Sequence, residues 1–139
     1  MTRRSLLLEY VAQAAFWIML AVSVWILLRG HDAPGGGFIA GLVAVAASAL
    51  LAIVYGIDKA RRRMPLSPLT LTVTGVLAAL LSGVPGAFGS GSFLTHLWWS
   101  VGSVKLSTVL LFDMGVYAAV WGGFTSYLFA LLDDGDNIL

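Results

Sequence analysis

The sequence contains no cysteine, which excludes disulfides, thiol chemistry and metal or iron–sulfur sites held by cysteine. Charge is also scarce, since only 11% of the 139 residues are charged whereas 59% are hydrophobic. A soluble domain of this length carries much more charge. The net charge is only +1, so nothing favours a nucleic-acid partner. These deficits indicate an integral membrane protein whose first expected partner is the lipid bilayer.

Long apolar runs account for most of the chain, and their hydrophobicity is continuous rather than alternating, which excludes a transmembrane β-barrel. We predict an all-α integral membrane protein with a single domain over residues 1–139. Its four transmembrane helices are expected at about 6–28, 38–57, 68–88 and 107–132, each long enough to cross the hydrocarbon core. The first run is longer than the roughly 7–15 apolar residues of an export signal, so a retained first helix is expected.

Basic residues predict the orientation. One side of the predicted bundle carries Arg3, Arg4, Lys59, Arg61, Arg62 and Arg63. Arg29 and Lys105 fall on the other side. Because cytoplasmic loops carry the excess of Lys and Arg, both termini and the 59–63 loop are expected in the cytoplasm. Between the third and fourth helices, apolar residues at helical spacing predict a short interfacial helix at about 92–101, with Trp98 and Trp99 in the aromatic belt.

The most unusual segment is the break between the first two helices, where a proline is followed by three consecutive glycines. Helix does not continue through these residues, because proline lacks a donor and each glycine costs about 1 kcal/mol relative to alanine. Non-helical backbone near membrane depth persists only where protein or a water-filled cavity covers it. We interpret the segment as a packing or subunit-interface motif formed by His31, Asp32, Pro34, Gly35, Gly36, Gly37, Phe38 and Gly41. Its histidine and aspartate are too few for a metal site.

The second predicted helix carries small residues on one face: Gly37, Gly41, Ala44, Ser48 and Ala52. Small residues let helix backbones approach closely, and helix association in lipid depends on that packing. The stripe is therefore a docking face, either for another helix of this chain or for a neighbouring subunit.

Four ionisable residues are candidates for an ion or proton relay. Asp113 lies inside the fourth helix, where an acid costs about 2.5–3.5 kcal/mol and is expected to face a bundle interior. Tyr117 lies one turn further and is placed to hydrogen-bond it. Glu9 lies near the start of the first helix, and Lys105 shortly before the fourth. For Asp113 two interpretations stay open, namely a relay and a buried acid that joins helices through hydrogen bonds. Glu9 has the alternative of pairing with nearby arginines.

The segments GHDAPGGGFIAG (30–41) and KLSTVLLFDMGVY (105–117) together resemble the B subunit of Mrp-type multisubunit cation/proton antiporters, the MnhB-like family. The resemblance covers essentially the whole chain. It implies an accessory component of a membrane complex of six or seven different subunits that exchanges cytoplasmic Na⁺ for external H⁺. In that family the proton channels reside mainly in the large A and D subunits. The B subunit is needed for assembly, and a part in lining the ion path is open.

Other interpretations remain. The runner-up is a structural membrane subunit of a related energy-converting complex, such as a membrane-bound hydrogenase. A stand-alone transporter is disfavoured, because four helices with one or two buried acids offer little room for a gated path. An enzyme is not expected, since the sequence shows no nucleophile–base pair and no metal constellation, and no cofactor is predicted. The expected location is the cell membrane of a prokaryote.

Overall fold

The computed structural model describes residues 6–30, 36–89, 98–101 and 104–136, with side chains described for 6–30, 36–84 and 109–133. Its elements are α1 (Leu6–Arg29), α2 (Gly36–Tyr55), α3 (Ile57–Arg63), α4 (Pro68–Gly89), β1 (Trp98–Val101), β2 (Val104–Ser107) and α5 (Thr108–Asp136). The all-α class is confirmed for the part that can cross a membrane, and one short β-hairpin is added to it.

Three helical segments are each long and apolar enough to span a membrane: Leu6–Arg29, Gly36–Tyr55 and Val109–Asp133. A fourth candidate consists of α3 together with Pro68–Val84, two helices bent by 50° at the break between them. The described residues therefore contain three or up to four candidate spans. The side of the membrane on which each terminus lies stays a prediction.

Two local signals set the helix boundaries around α3. Gly56 has φ +83°, which a residue with a Cβ rarely adopts, and this glycine separates α2 from α3. The sequence placed Ile57 in the second transmembrane helix, whereas it begins α3. α4 begins at Pro68, and the Ser67 hydroxyl accepts a 3.1 Å hydrogen bond from the Thr70 backbone N–H. A serine cap followed by proline is the preferred start of a helix.

The four long helices pack in the order α1–α2–α5–α4, so that α5 contacts both α2 and α4. The beginning of α2 lies against the beginning of α5, so these two helices run parallel. The beginning of α4 lies against the middle of α5 instead, since Pro68 is close to Gly122, and these two helices run antiparallel. Large apolar side chains on the outward faces of α1 and α4 are exposed, as expected for surfaces that meet lipid or other subunits.

Glycines allow α4 and α5 to approach at backbone distance. A Cβ placed at Gly75 would lie 2.3 Å from the backbone nitrogen of Ala119, and one at Gly115 would lie 2.5 Å from that of Ala79. One at Gly122 would lie 2.4 Å from the carbonyl oxygen of Pro68. Real Cβ atoms do not reach such distances from rigid backbone, so the α4–α5 contact requires glycine at all three positions.

Adjacent glycines provide a matched test of this packing. Gly122→Ala is expected to destabilise the full-length chain by about 1–3 kcal/mol, because the new methyl group overpacks the contact with α4. Gly123→Ala is expected to cause no loss, since nothing in the described structure lies within 4 Å of a Cβ at that position. Thermal unfolding of both purified variants in one detergent checks this. Equal midpoints for the two would contradict the assigned packing.

The connection before α5 differs from the prediction. Trp98–Val101 forms a strand that pairs antiparallel with Val104–Ser107, with Ser100 opposite Lys105. The predicted interfacial helix is therefore wrong over these residues, and 92–97 lie outside the described part of the chain. Two four-residue runs joined by Gly-Ser have the composition and spacing of a hairpin, in which side chains alternate between two faces.

Candidate functional site

The ends of the unusual first connection lie side by side. A Cβ at Gly30 would be 2.2 Å from the backbone nitrogen of Gly36, so only glycine permits this approach. Gly36 also has φ +76°, in the left-handed region that favours glycine, and it begins α2. Within the proposed interface motif, the residues that lie outside the described part of the chain are His31, Asp32, Pro34 and Gly35.

Asp113 lies beside the beginning of α2. The two carboxylate oxygens of this half-buried residue are 3.8 and 3.9 Å from where a Cβ at Gly36 would be. The carboxylate is therefore next to the N-terminal end of a 20-residue helix, where unpaired N–H groups and the helix dipole stabilise negative charge. The two segments that carry the family resemblance thus meet at one end of the bundle.

The main chain of Asp113, rather than its carboxylate, makes the closest contact. A Cβ at Gly37 would lie 2.1 Å from the Asp113 carbonyl oxygen and 3.0 Å from the Tyr117 nitrogen. One turn on, a Cβ at Gly41 would lie 2.8 Å from the Val120 side chain. The small-residue stripe of α2 therefore docks on α5 of the same chain. Within this chain, α5 is therefore the helix that Gly37 and Gly41 contact, and a contact of the stripe with a neighbouring subunit stays a prediction.

The Tyr117 hydroxyl bonds to α1 and not to Asp113. It lies 3.0 Å from the Ser23 hydroxyl, which itself donates to the Leu20 carbonyl oxygen at 2.7 Å. Because Ser23 has only one proton and uses it on Leu20, Tyr117 is the donor in this pair. The expected hydrogen bond from Tyr117 to Asp113 is therefore replaced by one that joins α5 to α1.

Trp121, one turn after Tyr117 towards the C-terminus of α5, is a second hydrogen-bond donor of this helix. The Trp121 indole donates to the Ser48 hydroxyl at 2.9 Å, and Ser48 donates to the Ala44 carbonyl oxygen at 3.0 Å. Ser23 and Ser48 are both fully buried. Each bond joins α5 to another helix, and such bonds in membranes contribute about 0.6 kcal/mol on average and about 1.7 at most.

Asp113, Tyr117, Trp121 and Thr125 follow one another at intervals of four residues and share one face of α5, over about 18 Å along its axis. Along this polar line an indole nitrogen is a donor only, so Trp121 does not accept and pass on a proton. The Thr125 hydroxyl is buried without a hydrogen-bond partner among the described residues. The line therefore joins α5 to α1 at Tyr117 and to α2 at Trp121, but its described side chains do not form a continuous proton path across the bundle.

Of the two remaining relay candidates, Glu9 lies far from Asp113. Glu9 is near the start of α1, at the end of the bundle opposite Asp113. Its backbone carbonyl oxygen accepts a hydrogen bond from the Tyr55 hydroxyl at that same end. Lys105 lies in β2, so helical spacing does not relate it to Asp113, and its side chain lies outside the described part. A role for Asp113, Tyr117, Glu9 or Lys105 in ion transfer stays a prediction.

Sequence reasoning missed Trp121 and Thr125 as members of the polar line and Ser23 as a hydrogen-bond partner of that line, and it treated Ser48 only as a small residue. A signal was present, because serine inside an apolar transmembrane run commonly bonds across helices or to its own backbone. The spacing of four from Asp113 to Trp121 was also visible. What the sequence did not provide was the pairing of α5 with both α1 and α2.

The chain is similar to known proteins over most of its length. Residues 7–126 match the family described as "Domain related to MnhB subunit of Na+/H+ antiporter". The chain is 36% identical over 123 residues to the B subunit of the Na(+)/H(+) antiporter of Bacillus subtilis, covering 84% of this chain and 85% of the relative. It is 29% identical over 133 residues to the corresponding B subunit of Alkalihalophilus pseudofirmus, covering 92% of each.

Among solved structures, the chain is similar to one in the structure of the Mrp complex from Dietzia sp. DQ12-45-1b, with a TM-score of 0.78 and 35% identity. The match covers 90% of this chain, whereas this chain spans 14% of the length of that one. In that complex the fold is therefore one segment of a much longer polypeptide.

The fold and the site define a multi-pass helical membrane protein, held together by glycine contacts and a few buried hydrogen bonds, with Asp113 of α5 beside the N-terminal end of α2. Its similarities are to components of bacterial antiporters. The chain belongs to the family of domains related to the MnhB subunit of Na⁺/H⁺ antiporters. This is a family of transporter subunits rather than of catalytic enzymes.

Proposed function

We propose that this protein is the accessory B subunit of a multisubunit antiporter that exchanges cytoplasmic Na⁺ for external H⁺. The observation that carries the proposal is the meeting of Gly36 and Gly37 with Asp113, because it joins the two segments of the family resemblance into one structural unit. Identity of 36% with the B subunit of a bacterial Na⁺/H⁺ antiporter, over most of both chains, supports the same assignment.

The polar line of α5 supports an accessory role rather than independent transport. Trp121 interrupts it as a donor-only group, and the Thr125 hydroxyl has no partner among the described residues. Asp113 and the N-terminal end of α2 then form one short portion of an ion path that other subunits complete. An acid inside a transmembrane segment commonly marks an ion or proton pathway, which supports this role for Asp113.

Complementation in a host that lacks its own B subunit tests the proposal. Vesicles from cells with the complete set of subunits are expected to exchange Na⁺ for H⁺, and vesicles without this chain are expected to lose that exchange. Pull-down of the tagged chain from the same membranes is expected to recover the other antiporter subunits. Recovery of hydrogenase subunits instead would contradict the proposal, as would Na⁺/H⁺ exchange by the purified chain alone in liposomes.

A further inference from the structure

The end of the bundle opposite Asp113 has a depression of about 190 Å³, lined by Leu6, Glu9, Tyr10, Gln13, Tyr55 and Arg63. It lies where α1 begins and where α2 and α3 end. Because α1 and α2 are candidate spans, their ends fall near the boundary between hydrocarbon and headgroups.

Arg63 is held in place at the rim of this depression. Its guanidinium lies 3.8 Å from the centre of the Tyr55 ring and donates a 2.6 Å hydrogen bond to the Gln13 side-chain oxygen. Tyr55 in turn donates its hydroxyl hydrogen bond to the carbonyl oxygen of Glu9. A guanidinium has five N–H donors in one plane, so stacking and a single bond to Gln13 leave a fork for a phosphate.

Glu9 adds the opposite charge to the same depression. Among the described side chains, Arg63 contacts Gln13 and Tyr55, and no ion pair joins it to Glu9, although both charged residues line the depression. Two opposite charges that share a depression without pairing suit a ligand that carries both signs. Exposed Leu6 and Tyr10 at its edge, 74% and 76% accessible, provide apolar surface for the start of an acyl chain.

We propose that this depression binds the headgroup of a phospholipid that carries a phosphodiester and a primary ammonium, as in phosphatidylethanolamine. Arg63 binds the phosphate through its free N–H donors, and Glu9 binds the ammonium. Gln13 and Tyr55 position Arg63. Basic side chains in pockets between membrane helices bind the phosphates of lipid headgroups. The carboxylate of Glu9 in the same depression favours an ammonium-bearing headgroup over a purely anionic one.

Lipid retention by the intact complex tests the site. The complex is purified from membranes and transferred to nanodiscs of phosphatidylethanolamine, phosphatidylglycerol or phosphatidylcholine, and the lipid that remains after detergent washing is measured by native mass spectrometry. We expect selective retention of phosphatidylethanolamine. Arg63→Ala and Glu9→Gln are each expected to lower it about tenfold, the effect of one charge-assisted hydrogen bond. Arg62→Ala, an exposed position on the same helix outside the depression, is the matched control and is expected to retain it.

Glu9→Gln keeps the carbonyl oxygen that accepts from Tyr55, so it changes the charge without removing the helix contact. Equal retention of phosphatidylglycerol and phosphatidylethanolamine would overturn the proposal, as would undiminished retention by Glu9→Gln. Inorganic phosphate and soluble glycerophosphoethanolamine serve as competitors. Displacement of the lipid by phosphate alone at the same concentration would show that the depression binds a phosphate and not this headgroup.

Discussion

Gly37→Ala is expected to separate α2 from α5 and to remove most of the folded protein from the membrane. A Cβ at Gly37 would lie 2.1 Å from the Asp113 carbonyl oxygen and 2.9 Å from the carbonyl carbon, and neither atom can rotate away as a side-chain end can. The helices must therefore move apart. Overpacking a core costs about 1–3 kcal/mol, and we expect the upper part of that range or more because the contact is with main chain.

The measurement is the amount of chain in washed membranes, followed by the amount of partner subunits recovered with it. We expect Gly37→Ala to lower both, and Gly37→Leu to lower them further. Gly123→Ala is the control, because it adds the same methyl group to a helix position that nothing described approaches within 4 Å. Normal levels of Gly37→Ala, equal to those of Gly123→Ala, would show that α2 and α5 do not touch at this position.

Loss of partner subunits in Gly37→Ala has two possible causes, namely a lost contact within this chain or a lost contact with a partner. The sequence suggested that protein or a water-filled cavity covers the bare backbone of 35–37, as a packing or subunit-interface motif. The structure covers Gly37 and Gly41 with α5, so loss of partner subunits in Gly37→Ala follows from loss of the fold. A partner contact at Pro34 and Gly35, which lie outside the described residues, stays a prediction.

The sequence was most informative where a local pattern of residues is compatible with only one local structure. Long apolar runs give membrane helices, and the Pro-Gly-Gly-Gly segment ends one and begins the next. The small-residue stripe that begins at Gly37 and Gly41 identified a close-contact face, because only small residues permit one. The acid in an apolar run marked Asp113 as a special position. Each of these inferences depends only on residues that are close together in the sequence.

The sequence failed where the outcome depends on which helices meet. Nothing local shows that Tyr117 donates to Ser23 of α1, 94 residues away in the chain, rather than to Asp113 one turn away. The segment at Trp98–Val101 was misassigned because a short apolar run fits both helical spacing and a strand, and the choice depends on pairing with Val104–Ser107. The depression at Arg63 joins three helices, so no single stretch of sequence contains it.

Asp113→Asn is expected to lower Na⁺-dependent proton exchange in vesicles about tenfold or more while the complex still assembles. The amide has nearly the shape of the carboxylate, but it neither takes up a proton nor carries charge. Assembly is expected to survive, because α2 packs against the Asp113 main chain, which the substitution leaves unchanged. The carboxylate itself makes no hydrogen bond or ion pair within the described part of the chain.

The alternative is that Asp113 only joins this chain to a partner subunit through hydrogen bonds. An amide retains that ability, so under the alternative Asp113→Asn would assemble and exchange at the normal rate, whereas Asp113→Leu would fail to assemble. Asp58→Asn, an exposed acid in the first turn of α3, is the control for general loss of negative charge and is expected to exchange normally. Exchange is measured by the quenching of a pH-sensitive dye after Na⁺ addition, normalised to the amount of assembled complex. A tenfold loss in Asp113→Asn with intact complex would assign the carboxylate to the ion path, because packing and hydrogen bonding are both preserved in that variant.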